Sequence, residues 1–164
     1  MNVRGRDARD WALLGRAWLG LMRSQYDLRR RPYRRLAEEA QTARGQAAGA
    51  ASKSGAAGLE ASRAAAVRAV GAAARVTIPP ATCLPRALVL CRLLRESGLP
   101  AEVRIGVRRA DETLQAHAWV ELRGEVVGDR SDIAHTFKPL ETGGDLPHGA
   151  VISASTAVVP SPQR

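Results

Sequence analysis

An α+β fold, with a helix packed on an antiparallel sheet and further helices ahead of it, is predicted by three features of this 164-residue sequence. Residues 83–97 repeat at helical spacing, with Leu84, Ala87, Leu88, Cys91 and Leu94 on one face and Gly98 as the stop. Residues 101–107 and 115–122 alternate strictly between two faces, the period of a strand. Arg123-Gly124 then marks a turn, after which residues 125–129 run back as a third strand.

The elements follow in order. Over residues 10–40, Trp11, Leu14, Trp18, Leu21 and Met22 recur at three- and four-residue spacing between arginines, which predicts basic amphipathic helices. This stripe is expected to pack on its own domain, and Pro32 divides it, leaving Tyr33, Leu36 and Ala37 to a second piece. Residues 41–58, rich in Ala, Gly and Ser, have little to bury and predict a linker or loop. Alanine dominates from Leu59 to Val76, a helix with a thin face of Leu59, Ala66, Val67 and Val70, and Pro79-Pro80 ends it. The main core is thus expected over residues 59–150, with a tail at 151–164.

Composition narrows the function classes. No stretch reaches the roughly 20 apolar residues that span a bilayer, and the charged first ten residues lack a signal-peptide pattern, so a cytoplasmic protein is expected. The net charge of +9 is carried by arginine, with ten arginines against five acids in residues 1–40. No nucleic-acid-binding motif accompanies that charge, so solvated basic faces are the simpler account and no nucleic-acid partner is expected. Two cysteines are too few for a zinc site. On one helix Cys83 and Cys91 would stand about 12 Å apart along the axis, too far for a disulfide. No cofactor or metal is expected.

Three residues converge on thiolate chemistry. Cys83 lies where the extended prolines give way to a helix, whose N-terminal N–H groups favour a thiolate and an oxyanion. On the strand 115–122, His117 shares a face with Gln115, Trp119 and Glu121, while Ala116, Ala118, Val120 and Leu122 form the other. Cys83 and His117 can meet if the helix covers the face that carries Trp119. Asp129 ends the return strand. A three-residue connection, Leu122-Arg123-Gly124, would pair Glu121 with Glu125 and His117 with Asp129, on one face. A two-residue turn would instead separate them to opposite faces. Glu121 is the alternative third member, Asp132 is a further nearby carboxylate, and His135 and His148 read as incidental. A metal site from His117, His135 and Asp129 matches no ligand spacing. The Cys83 N–H is a first oxyanion donor, with Gln115 or Trp119 as candidates for the second.

Taken together, these blocks resemble the B-protein family of lasso-peptide biosynthesis, the transglutaminase-like leader peptidases. The resemblance is carried by Cys83-Leu-Pro-Arg-Ala-Leu-Val-Leu90, Leu93-Leu94, Gly98-Leu99-Pro100-Ala101, Ile105-Gly106-Val107, Ala116-His117-Ala118-Trp119-Val120-Glu121 and Val127-Gly128-Asp129. It implies a papain- or transglutaminase-like cysteine peptidase core, with Cys83 as nucleophile, His117 as general base and then acid, and Asp129 orienting the imidazole. The implied reaction removes the leader from a lasso precursor peptide through a thioester. A separate leader-recognition protein would deliver the precursor, because residues 1–75 read as helix, linker and helix rather than a recognition module. An ATP-dependent lasso cyclase would then act on the product. Other readings are an inactive transglutaminase-like peptide-binding scaffold, an acyltransferase or deamidase on the same triad, and a basic nucleic-acid-binding protein.

Overall fold

The computed structural model describes residues 7–42, 55–110, 113–140 and 151–152, so part of the predicted 41–58 linker and most of the 151–164 tail lie outside the described residues. Four helices precede the sheet: α1 (Ala8–Leu28), α2 (Tyr33–Thr42), α3 (Ala56–Val76) and α4 (Cys83–Glu96). Helix α4 is the centre. Ten of its fourteen residues are buried, so it is covered on nearly every side rather than along the single face its periodicity suggests. Helices α1, α2 and α3 and one face of the sheet enclose it. Its end is fixed by a Schellman cap, with Leu99 N–H donating to the Leu94 carbonyl at 3.0 Å and Gly98 N–H to that of Arg95 at 3.0 Å. Gly98 supplies the positive φ of 82° that this cap requires.

Helix α1 meets the predicted residues at a different angle. Its buried positions are Ala17 and Leu21, with Leu13, Leu14 and Leu28 beside them, whereas Trp11 is 50% and Trp18 43% exposed. The reason is the closeness of the helices. A Cβ on Gly20 would come within 3.2 Å of the Val89 methyls, and α3 presents Ala66, Ala69 and Ala73 to the core. Alanine and leucine fit such a seam and an indole does not. Several arginines of this half are held in ion pairs, among them Arg16 with Glu96 and Arg31 with Glu39, exposed contacts worth about 0–1 kcal/mol each. No described helix is long and apolar enough to cross a membrane.

Helix α3 starts at Ala56, three residues ahead of the predicted Leu59, and ends where buried Thr77 donates its hydroxyl to the Ala73 carbonyl. The sheet has the order β3-β2-β1-β4, all antiparallel, from β1 (Ala101–Ala110), β2 (Thr113–Leu122), β3 (Glu125–Val127) and β4 (Lys138–Pro139). A short β5 (Val151–Ile152) runs parallel to β2. A single-turn helix, α5 (Ile133–Thr136), precedes β4. The α+β architecture is therefore the predicted one, although β3 stops two residues short of Asp129.

The two faces of the sheet are both covered, by different partners. Ala101, Val103, Ala118 and Val120 face α4 in the main core. Trp119 lies on the other side under Ile133 and Phe137. The helix bearing Cys83 thus covers the alanine–valine face, not the face carrying Trp119. Gly106 makes that second layer possible, because a Cβ there would stand 2.8 Å from Trp119 Cη2 and 2.9 Å from the Lys138 carbonyl. Gly106→Ala should therefore destabilise the fold by about 1–3 kcal/mol through overpacking. Leu94→Ala, at a fully buried centre of α4, should cost about 2–5 kcal/mol. Urea denaturation followed by circular dichroism measures both.

Candidate active site

Cys83 is the first residue of α4, after an extended Thr82, and is 5% exposed. Its main chain therefore sits among the unpaired N–H groups of a helix N-terminus. The second cysteine has another setting. Cys91 is fully buried mid-helix, with its thiol 3.4 Å from the Ala101 carbonyl, and burial pushes its pKa up to about 11. Both cysteines are free. Cys91 packs as a small apolar group and is held in its thiol form.

The β2–β3 hairpin differs from the predicted register. Leu122 pairs with Glu125 and Val120 with Val127, so the connection is the two-residue turn Arg123-Gly124, with φ of 53° and 83°. Positive φ at both positions gives the turn that matches strand twist. Continued further, this ladder would set Asp129 opposite Ala118 and send its side chain to the face away from His117. The ladder instead ends at Val127, and Gly128, with φ of 75°, redirects the chain. Asp129 thereby returns to the histidine, Oδ2 lying 2.7 Å from His117 Nε2. Its Oδ1 accepts the Arg130 N–H at 2.8 Å. The φ favours glycine, and a Cβ at residue 128 would also meet Leu90 Cδ2 at 2.7 Å, so that methyl would have to shift.

His117 is 3% exposed. One nitrogen is held by Asp129, while Nδ1 has no hydrogen-bond partner among the described residues. Burial alone would depress its pKa, but Asp129 and the nearby Cys83 sulfur outweigh burial and push it up to about 9. For Asp129, burial favours the neutral acid. The hydrogen bonds from His117 and Arg130, with the charges of His117 and Arg86, prevail and hold its carboxyl below the usual range. Cys83, His117, Asp129 and Arg86 line one cavity of about 30 Å³ under the start of α4.

The other sequence candidates stand elsewhere. Glu121 accepts the Trp119 Nε1–H at 2.9 Å and Arg104 Nε–H at 3.1 Å, so its two oxygens are engaged away from His117. That bond also commits the indole N–H proposed as an oxyanion donor. Gln115 Oε1 accepts Arg108 Nε–H at 2.9 Å. Asp132 is exposed and chelates Arg130 at 3.0 and 2.6 Å. His135 is exposed on α5, and His148 lies outside the described residues. Two contributors went unread in the sequence. Arg86 was visible as the residue one turn after Cys83, on the same side of the helix. Phe137, whose ring centroid lies 5.3 Å from that of His117, had no local signal, because only the folding of the segment after Asp129 brings it there.

A family model described as the transglutaminase-like superfamily matches residues 12–142, and the chain belongs to that superfamily. Its members are generally cysteine-peptidase-like. The match spans the N-terminal helices as well as the sheet. No curated protein and no solved structure matches the chain.

Two outcomes are expected. Gly128→Ala should lose about 1–3 kcal/mol from the left-handed backbone and the Leu90 contact, and should uncouple Asp129 from His117. An NMR titration of the His117 ring would show this as a pKa falling from about 9 toward 6.5. The raised pKa of His117 adds stability that is complete below pH 6.5 and lost as pH rises through about 9. Melting temperature should therefore fall between these values, and fall less steeply in Asp129→Asn. Scanning calorimetry at several pH values tests it.

Proposed function

We propose that this protein is a cysteine peptidase that removes the leader from a lasso-peptide precursor. The observation that carries the reading is the arrangement at His117: Nε2 is tied to Asp129 at 2.7 Å, Nδ1 has no bond among the described residues, and Cys83 lines the same cavity. An imidazole held at one nitrogen and open at the other can take a proton from a thiol and later return it. In this reading the raised pKa of His117 keeps on the ring the proton that Cys83 gives up, and the thiolate attacks the carbonyl at the leader–core junction. The Cys83 N–H and the helix N-terminus stabilise the oxyanion. The imidazolium then protonates the departing amine of the core peptide, leaving the leader as a thioester on Cys83. Water, deprotonated by His117, releases the leader and restores the thiol. Asp129 keeps the ring oriented and balances its charge throughout.

The assignment of a lasso precursor as substrate rests on the resemblance of the blocks around Cys83, His117 and Asp129. It brings two partners with it: a separate leader-recognition protein that delivers the precursor and an ATP-dependent cyclase that closes the freed core. We assign to the recognition protein the outward face of α1, where Trp18, Leu19 and Tyr26 are 43%, 63% and 53% exposed. Aromatic side chains are enriched at protein–protein interfaces relative to the rest of a surface.

Incubation with a lasso precursor, with and without the recognition protein, tests the reading by mass spectrometry. One cut at the leader–core junction is expected, dependent on the partner. Cys83→Ala should abolish it, and Asp129→Ala should slow it by about 10²–10⁴-fold. Cleavage that survives Cys83→Ala would remove the thiolate mechanism.

A further inference from the structure

The carboxylate of Glu121 lies outside the proposed chemistry yet has a well-defined place. It stands at the end of a chain of contacts that runs from β1 to the His117 ring. Arg104 on β1 binds Glu102 at 3.2 Å and Glu121 at 3.1 Å. Glu121, through its other oxygen, accepts the Trp119 indole N–H at 2.9 Å. The indole is 1% exposed and lies nearly parallel to the His117 ring, 14° between planes and 6.5 Å between centroids. Phe137 meets the same imidazole at 5.3 Å. The indole's far edge lies against Gly106, where a Cβ would stand 2.8 Å from Cη2.

A ring held by a single hydrogen bond to Asp129 can still pivot about that bond. A flat, buried wall beside it removes the freedom, and a wall is only as fixed as its own anchor. We propose that Trp119 and Glu121 are positioning residues, in which the Glu121 carboxylate clamps the indole and the indole sets the plane in which His117 meets Cys83. The inference rests on the Cys83–His117 pair proposed above. Glu121 thus acts through Trp119 and touches neither substrate nor the reacting atoms.

Alkylation of Cys83 by iodoacetamide reads the pair without any substrate. Trypsin places Cys83 and Cys91 in separate peptides, residues 76–86 and 87–92, so the two thiols are followed individually. In the wild type, reaction at Cys83 should persist at pH 6, where an isolated thiol is almost unreactive. Glu121→Ala and Trp119→Leu should slow the pH 6 rate about tenfold or more while leaving the pH 9 rate within about twofold. Glu121→Gln, whose amide oxygen can still accept the indole N–H, should restore most of the pH 6 rate. Trp119→Phe, which keeps a flat ring without the N–H, should fall between, and serves if Trp119→Leu does not fold. A wild-type level of pH 6 reactivity in Glu121→Ala and Trp119→Phe would overturn the proposal. So would an equal loss at both pH values, which a merely structural role would give. Absence of pH 6 reactivity in the wild type itself would instead strike at the Cys83–His117 pair, so the two failures are distinct.

Discussion

The burial of α4 is the constraint on which the rest of the molecule depends. A residue at a helix end keeps its place only if the helix cannot drift, and this one is packed by three helices and a sheet. Leu84, Leu88, Leu90 and Leu94 are each at most 5% exposed, and full burial of such a side chain contributes about 1.5–3 kcal/mol. The closeness of Gly20 to Val89 and the alanine surface of α3 draw the neighbouring helices in further. The N-terminal half therefore acts as the clamp that holds the first turn of α4 in register with the sheet. The superfamily match, which begins at residue 12, includes these helices.

Against this fixed helix, the sheet presents its histidine by an unexpected route. The hairpin turn is as short as a turn can be, and its register alone would point Asp129 the wrong way. Breaking the ladder at Gly128 restores the contact. The break also leaves β3 only three residues long, and Cys83, His117 and Asp129 line one cavity although α4 packs on the opposite face of the sheet. The electrostatics agree, since burial opposes charge on both His117 and Asp129 and each is kept charged by the other.

Much of this was legible in the sequence because the relevant signals are local. The period of residues 83–97 and its Gly98 stop gave α4, and the alternation of residues 115–122 gave both faces of β2. What escaped depends on tertiary packing. The tryptophans of α1 have helical spacing and size suited to a core, but the seam they would enter is too tight, and that tightness belongs to α3 and α4. The turn at Arg123-Gly124 was recognised, yet its length was misjudged by one residue. Arg123 in the left-handed region is what the three-residue reading missed. The juxtaposition of His117 and Asp129 was anticipated for a mistaken reason. The residues were the right ones to bring together, but the geometry that joins them is the Gly128 break rather than direct cross-strand pairing. Phe137 and the partners of Glu121 could not be read at all, since each is set by contacts across the sheet.

The central claim is that Cys83 forms a covalent bond to the leader, and trapping that bond tests it most directly. The protein would be mixed with precursor and recognition protein, quenched in acid within one turnover, and digested for mass spectrometry. A leader-sized acyl group on the residue 76–86 peptide, with the core peptide already free and the adduct absent in Cys83→Ala, is the predicted result. Core peptide released by the wild type with no acyl group on Cys83 at any time, and released equally by Cys83→Ala, would contradict the account.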